Sequence, residues 1–260
     1  MDKHLESLEE KSIFILREAK AKFKNVAMLW SMGKDSTTML YLCKRAFFNN
    51  VPFPVINLDS GHDFQETYDF REKIAKEWGL DLIVVPVKHE ADAISGTTEG
   101  LNKAEALKKI LDERKIDALV VSIRRDEHGI RAKERYFSPR TKDFKWNFEN
   151  QPPEIFNYIS EFDDASHIRI HPLLHWTELD VWQYTKEKNI PANPLYFAKN
   201  GKRFRSLGFK EVTHTVDSNA SNLDEIIEEL KNTQVAERSG RELDKEKEFV
   251  MQRLRELGYM

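Results

Sequence analysis

The chain has 260 residues, 40% of them hydrophobic, and a formal net charge of -3, so it can bury a sizeable core and carries no overall basic field. This balance argues against nucleic acid as the main partner, and the absence of a long apolar run argues against a membrane span. A single cysteine, Cys43, excludes an internal disulfide and any cysteine-only metal or iron–sulfur site. A soluble, cytoplasmic protein is therefore expected.

Short apolar runs alternate with helical patterns through most of the chain. Four runs precede helix-like segments or polar loops, and a fifth follows later, at 26–30, 54–58, 82–87, 118–121 and 168–170. This alternation is typical of βαβ units, and it predicts an α/β fold with a doubly wound, mainly parallel, five-stranded sheet. In such sheets ligands bind beyond the carboxyl ends of the strands, so the loops after the runs are the places to search.

Two prolines divide the chain near residue 190. Pro191 and Pro194 interrupt the helical pattern that Thr177 and Asp180 open as an N-cap and its partner. We therefore predict a main domain over residues 1–190, with an N-terminal helix, and a helical C-terminal extension over residues 191–260.

The loop after the first apolar run carries the main functional signal. A strand feeding Ser31-Met32-Gly33-Lys34-Asp35-Ser36 into a helix places backbone N–H groups, hydroxyls and an ammonium where the helix dipole attracts phosphate. Gly33 permits a tight turn and the close approach of an anion. The spacing is not that of a Walker loop, and the alternative is an ordinary polar βα turn with a good N-cap.

Basic residues are concentrated directly after the fourth run. Arginine forks match the oxygens of a tetrahedral anion or a triphosphate, and the location favours that function over a solvated helix with Glu–Arg pairs. The five residues are Arg124, Arg125, Arg131, Lys133 and Arg135. Asp59, at the tip of the second run, is a candidate for the ribose or adenine end of a nucleotide, with a turn carboxylate as the even alternative.

The hexapeptide resembles the PP-loop, Ser-Gly-Gly-x-Asp-Ser, with Met32 at the position of the first glycine. The whole chain from about residue 26 is similar to the family of small catalytic subunits of bacterial ATP sulfurylase, within the PP-loop superfamily. The matching segments include Arg124-Arg125-Asp126-Glu127, Arg131-Ala132-Lys133-Glu134-Arg135, Trp176-Thr177-Glu178-Leu179-Asp180, Phe204-Arg205-Ser206-Leu207-Gly208 and Glu237-Arg238-Ser239-Gly240-Arg241.

The resemblance implies a fold like that of the adenine nucleotide alpha hydrolases and an enzyme that adenylylates sulfate with ATP and Mg²⁺. It implies a separate large GTPase subunit as the partner in a heterodimer, docked in part on the C-terminal extension. The implied catalytic residues are Lys34, Asp35, Arg124 and Arg125, and the implied ligands of ATP and pyrophosphate are Ser31, Gly33, Ser36, Thr37 and Asp59. The implied ligands of sulfate or phosphate are Arg131, Lys133, Arg135, Arg205, Arg238 and Arg241. Asp35 is the candidate nearest the metal, but no residue is assigned as a metal ligand.

One departure from the family lies between Phe197 and Phe204, where the resembled subunit carries a long insertion and this chain has six residues. Alternatives therefore stay open: a PP-loop enzyme that adenylylates another substrate in a sulfur-modification pathway, or a non-catalytic ATP-binding partner protein. A sulfonucleotide reductase is disfavoured because such enzymes use a cysteine near the C-terminus, and no cysteine follows Cys43.

Overall fold

Six strands form the central sheet of the protein, whose structure is a computed structural model. The residues it describes are 2–87, 96–127, 129–146, 151, 153–156, 158, 162, 165–233 and 237. The strands are β1 (Val26–Leu29), β2 (Val55–Asp59), β3 (Leu82–Pro86), β4 (Ala118–Val120), β5 (Phe137–Arg140) and β6 (His167–Ile170), in the order β3-β2-β1-β4-β6-β5. Every neighbouring pair is parallel except β5 and β6.

The α/β class and the mainly parallel sheet are confirmed, but the sheet has six strands rather than the predicted five. The additional strand is β5, which lies antiparallel at the edge of the sheet. It contains Pro139, which has no backbone N–H and therefore cannot donate a hydrogen bond to a neighbouring strand. Proline is tolerated in an edge strand. Because the segment also contains Ser138 and Arg140, it has no apolar run from which a strand could be predicted.

Six α-helices and a two-stranded ribbon accompany the sheet in the described part of the fold. The helices are α1 (Lys3–Lys22), α2 (Lys34–Ala46), α3 (Gln65–Trp78), α4 (Gly96–Arg114), α5 (Glu178–Glu187) and α6 (Leu223–Asn232), and the ribbon pairs β7 (Lys202–Arg203) with β8 (Val216–Asp217). Helix α5 begins at the predicted N-cap, because the Thr177 hydroxyl accepts the N–H of Asp180 at 3.2 Å and the Asp180 carboxylate accepts the N–H of Thr177 at 2.8 Å. None of the described helices has the length and apolar character needed to cross a membrane.

Successive residues of the strands enter two different hydrophobic cores. In β1, Met28 joins the core that contains residues of α1, α2 and α5, whereas Ala27 and Leu29 join the core under α4. Both faces of the sheet are therefore covered by helices, as the doubly wound prediction requires. Cys43 is fully buried in the first of these cores.

Buried polar side chains lie beside β5 and β6. Arg140 donates to the Glu134 carboxylate at 3.0 Å, and the Nδ1 atom of His171 is 2.8 Å from the carbonyl oxygen of Arg135. All three side chains are at most 1% exposed. Burial lowers the pKa of His171 to about 4, because the enclosed site disfavours the charged imidazolium.

This histidine is expected to make the fold acid-sensitive. Because the folded state holds His171 neutral down to about pH 4 and the unfolded chain protonates it near its ordinary value, its contribution to stability is complete above about pH 6.5 and is lost as the pH falls toward 4. Between about pH 7.5 and 4.5 the wild type should lose roughly 2–3 kcal/mol more free energy of unfolding than His171→Gln, which keeps a donor for the Arg135 carbonyl. Urea unfolding of both proteins at the two pH values measures the difference, and equal losses would contradict the assignment.

Candidate active site

Four residues, 30–33, connect β1 to α2 and shape the predicted phosphate loop. Met32 has a φ of 57°, in the left-handed region, and its side chain is 1% exposed within the core. The left-handed turn therefore falls on Met32 and not on Gly33, whose φ is -78°. A left-handed residue with a Cβ costs roughly 1–2 kcal/mol, and burial of the Met32 side chain opposes that cost.

Gly33 serves close packing rather than the turn. A Cβ at this position would lie 3.3 Å from the Tyr196 hydroxyl and 3.4 Å from the Ser31 hydroxyl. Ser36 ties the loop together, since its hydroxyl lies 3.2 Å from that of Ser31 and 3.2 Å from the carbonyl oxygen of Gly33. Thr37 faces the protein interior instead, where its hydroxyl accepts the indole N–H of Trp30 at 3.1 Å.

The Lys34 side chain is buried, and carboxylates surround its ammonium. Nζ lies 2.5 Å from Oε1 of Glu237, 3.6 Å from Oδ2 of Asp35 and 3.9 Å from Oε1 of Glu178. It also donates to the carbonyl oxygen of Arg205 at 3.2 Å. A buried cation of this kind needs negative partners, and a bound polyphosphate would supply them equally well.

Arg124 is the second cation at this point and is fully buried. Its guanidinium pairs with Asp35, with Glu237 and, at 2.9 Å, with Asp126. Burial alone would lower its pKa, but the carboxylates outweigh burial and the pKa is raised. Glu237 bridges Lys34 and Arg124, so the loop after β1 and the loop after β4 converge on one carboxylate.

The other predicted basic residues fall into two groups. Arg131 lines the cleft and pairs with Glu127, and Arg205 holds the Glu178 carboxylate at 2.7 Å. Arg125 instead contacts Glu154 at 2.5 Å and His175 at 3.1 Å. Lys133 is exposed, and Arg135 donates to the Lys133 carbonyl oxygen at 2.8 Å. The structure thus brings Arg124, Arg131 and Arg205 toward Lys34 and directs Arg125, Lys133 and Arg135 to other contacts.

Asp59 turns toward α3. Its carboxylate accepts from Arg71 at 2.7 Å, from the N–H of Gly61 at 2.8 Å and from the Tyr68 hydroxyl at 3.1 Å. Burial would raise the pKa of Asp59, but these donors, led by Arg71, outweigh it and lower the pKa. Such contacts are those of a turn carboxylate, and its chain neighbours Asn57, Leu58 and Asp63 line the cleft instead.

A cleft opens beside the loop at the carboxyl end of the sheet. Its polar end is formed by residues 31–36, and its apolar walls are Leu58, Leu107, Val121, Ile123 and Phe209. A cleft with a phosphate-binding loop at one end and apolar walls at the other suits a nucleotide, because the base is apolar on its faces and the phosphates are charged.

Three side chains at this site did not emerge from the sequence. Glu237 and Glu178 lie in segments matched to the family, but only the arginine next to Glu237 was singled out, and Tyr196 is an uncharged aromatic residue outside the segments given above. All three contact Lys34 from positions more than a hundred residues away in the chain. Arg238 and Arg241, predicted to bind sulfate or phosphate, lie outside the described residues.

A carboxylate cluster also lies at this end of the cleft. One oxygen each of Asp35, Glu127 and Glu237 lies within 4.8 Å of the others. Carboxylate oxygens are ligands that Mg²⁺ prefers, so the donor set fits this ion. In the described arrangement Lys34, Arg124 and Arg131 balance the charge of the cluster.

Comparison with known proteins identifies the family. The profile described as "Phosphoadenosine phosphosulfate reductase domain" matches residues 25–217. A protein named "Sulfate adenylyltransferase subunit 2" from Geotalea uraniireducens is 40% identical over 294 aligned positions, covering 98% of each chain. The chain belongs to the sulfate adenylyltransferase subunit 2 family. A second member with that name, from Pseudomonas paraeruginosa, is 40% identical over 298 positions with the same coverage.

Solved structures support the fold of this family member. The phosphoadenylyl-sulfate reductase of Candida auris, in a phosphate complex, aligns with a TM-score of 0.56 at 18% identity, over 82% of this chain and 98% of that one. The FMN adenylyltransferase of Candida glabrata in complex with ATP also gives 0.56, at 19% identity, over 79% of this chain and 61% of that one. At these identities the likeness concerns the fold alone.

The chain is shorter than the sulfate adenylyltransferase subunit 2 of Geotalea uraniireducens. An alignment of 294 positions to a chain of 260 residues leaves at least 34 positions of the Geotalea protein without a counterpart. Between Phe197 and Phe204 the chain reverses direction in a two-residue turn at Asn200 and Gly201, which have φ values of 54° and 76°. The N–H of Lys199 donates to the carbonyl oxygen of Lys202 at 2.8 Å across this turn.

Proposed function

We propose that the protein is a sulfate adenylyltransferase, which converts ATP and sulfate into adenosine 5′-phosphosulfate and pyrophosphate. The observation that carries the proposal is the convergence of two buried cations, Lys34 and Arg124, beside the N-terminus of α2 at the polar end of the cleft. Membership of the sulfate adenylyltransferase subunit 2 family supports the choice of reaction.

The reaction needs charge and position rather than a covalent nucleophile. A sulfate oxygen attacks the α-phosphorus of ATP and forms the new P–O bond, while the bond to the β-phosphate breaks and its electron pair leaves with pyrophosphate. Ser31, Gly33, Lys34 and Ser36 would hold the β and γ phosphates, and Arg124 would stabilise charge in the transition state. The apolar walls around Leu107 and Phe209 would take the base.

Glu237 occupies the place where an anion of the substrate would act. Its carboxylate pairs with both Lys34 and Arg124, which are the cations that we assign to the triphosphate. For ATP to bind, either its phosphates must replace the Glu237 carboxylate as partners of Lys34 and Arg124, or a cation must bind between the phosphates and this carboxylate. Asp35, Glu127 and Glu237 are the residues that would hold Mg²⁺. When bound, Mg²⁺ neutralises charge on the triphosphate.

We assign the acceptor end to the arginines that contact the same network. Arg131 lines the cleft, and Arg205 is held by Glu178 close to Lys34. Planar guanidinium groups match the oxygens of sulfate in pairs. Arg125, Lys133, Arg135 and Asp59 would need to exchange their present partners to reach a substrate, and we give them secondary roles.

A separate subunit is part of the proposal. The name "subunit 2" of the relatives implies a partner, and adenylylation of sulfate is uphill, so we propose coupling to a large GTPase subunit in a cytoplasmic heterodimer. Residues 191–260 already contribute Tyr196, Arg205 and Glu237 to the contacts of Lys34. We propose that the same extension also carries part of the docking surface.

Release of pyrophosphate from ATP tests the function. The protein, assayed with its GTPase partner and GTP, should release pyrophosphate only when sulfate is present, and adenosine 5′-phosphosulfate should form in equal amount. Release that depends on another acceptor would replace sulfate as the substrate. Binding of ATP with no release under any of these conditions would favour a non-catalytic nucleotide-binding protein.

A further inference from the structure

We propose that Tyr196 is a further pyrophosphate-binding residue, which accepts a hydrogen bond from the phosphate loop and donates its own to a phosphate oxygen. The inference rests on the proposed function. It deepens that proposal, because it assigns a phosphate contact to a side chain from the C-terminal extension rather than from the loop itself.

The Tyr196 hydroxyl lies at the first amide of α2. It accepts the N–H of Lys34 at 2.9 Å, and the Lys34 ammonium lies 5.7 Å from the centroid of the Tyr196 ring. A Cβ on Gly33 would approach this hydroxyl to 3.3 Å. Tyr196 therefore contacts the loop in three ways. Its hydroxyl binds the Lys34 amide, its ring lies near the Lys34 ammonium, and its hydroxyl occupies the space next to Gly33.

Packing fixes the position of the ring before any ligand binds. Tyr196 is 1% exposed and lines the cleft, and its ring meets Trp182 edge to face at a centroid distance of 5.1 Å. The turn that carries it, Pro194–Tyr196, is capped by Asn193, whose side chain accepts the N–H of Leu195 at 3.1 Å and donates to Thr67 at 3.1 Å. The hydroxyl is thus held in place, as a preorganised donor must be.

The hydrogen bond between the Lys34 amide and the Tyr196 hydroxyl changes how the N-terminus of α2 would bind an anion. The first N–H groups of a helix ordinarily bind phosphate directly, but here the amide of Lys34 is taken by the phenol. A hydroxyl that accepts an amide hydrogen bond becomes a better donor, because bonds in a chain polarise one another. The Tyr196 hydroxyl would therefore link the Lys34 amide to the ligand, because it accepts the amide N–H and would donate its own O–H to an oxygen of the leaving pyrophosphate.

Tyr196→Phe isolates the hydroxyl, since the ring remains with its packing against Trp182 and the Lys34 ammonium, and only the hydrogen bonds of the hydroxyl are lost. Binding of inorganic pyrophosphate with Mg²⁺, measured by calorimetry, should weaken by about tenfold, the loss expected for one hydrogen bond to a charged group. Turnover should fall by a larger factor, roughly 10²-fold, while the KM for sulfate stays within about twofold. The unfolding midpoint reports any structural role separately.

Tyr184→Phe is the matched control, because Tyr184 is a fully buried phenol on α5 that packs against Trp176 away from the cleft. It should bind pyrophosphate like the wild type. Equal binding by the wild type and Tyr196→Phe would overturn the role of Tyr196 and leave the proposed function standing. A wild type that binds pyrophosphate but releases none from ATP and sulfate would count against the proposed function, while a weakened Tyr196→Phe would still support the contact.

Discussion

The Lys34→Ala variant is expected to release pyrophosphate about 10²–10³-fold more slowly than the wild type at saturating ATP and sulfate. The Lys34 ammonium is buried beside the N-terminus of α2, and we assign it to the charge that builds on pyrophosphate as the α-phosphorus bond breaks. The remaining loop amides and Mg²⁺ should still bind ATP, so the loss of ATP affinity should be the smaller effect. Steady-state assays in the presence of the proposed GTPase partner measure both quantities.

Two controls separate chemistry from folding in this experiment. Lys44→Ala removes an ammonium from the last turn of the same helix, where it lies over the Trp78 ring, and should leave turnover unchanged. Lys34→Ala combined with Glu237→Gln removes the carboxylate that would otherwise remain buried without its main partner. If Lys34→Ala folds and turns over like the wild type, the Ser31–Ser36 loop is an ordinary βα turn and the central assignment is wrong.

Arg124→Met should destabilise the fold by roughly 3–5 kcal/mol, the loss typical of removing one side of a buried ion network. The guanidinium is fully buried and pairs with Asp35, Asp126 and Glu237. Its removal leaves these carboxylates with less compensation in a partly buried site. Urea unfolding at neutral pH measures the change in the free energy of unfolding.

A second substitution tests the cause of this loss. Arg124→Met with Glu237→Gln should recover part of the lost stability, because one of the stranded charges is then neutral. Arg125→Met is the matched control, since the neighbouring arginine is only partly buried and its ion-pair partner Glu154 is exposed. Similar small losses for both arginines would show that Arg124 is not the hub of a buried network.

The sequence was sufficient to predict the class of the fold and the loop that opens α2, because both depend on local patterns. Strands β1 and β4 are continuous apolar runs in which every residue is buried, and β2 and β3 are mainly apolar runs that are buried only in part. Strand β5 escaped prediction because Pro139 and polar neighbours give no such run. In the loop, the prediction of a tight turn was sound, but the left-handed residue is Met32, whose burial no local pattern reveals.

The direction of individual side chains could not be predicted in the same way. Arg124 and Arg125 are adjacent and chemically equivalent, yet one enters the buried network and the other faces Glu154 and His175. Their difference depends on the path of the backbone after β4, which tertiary packing decides. The acidic partner of Lys34, Glu237, lies 203 residues further along the chain, a separation over which no sequence spacing carries information.

The turn at Asn200 and Gly201 gives this protein a practical use as a host for longer segments. Its flanking residues Lys199 and Lys202 are joined by hydrogen bonds, so any peptide inserted between them would leave and rejoin the ribbon at nearly the same point. The entropic cost of such a loop rises by only about 0.6 kcal/mol for each doubling of its length. Segments of the longer Geotalea protein can therefore be inserted here one at a time, and their effect on the subunit assembly that we propose can be measured against the chain that lacks them.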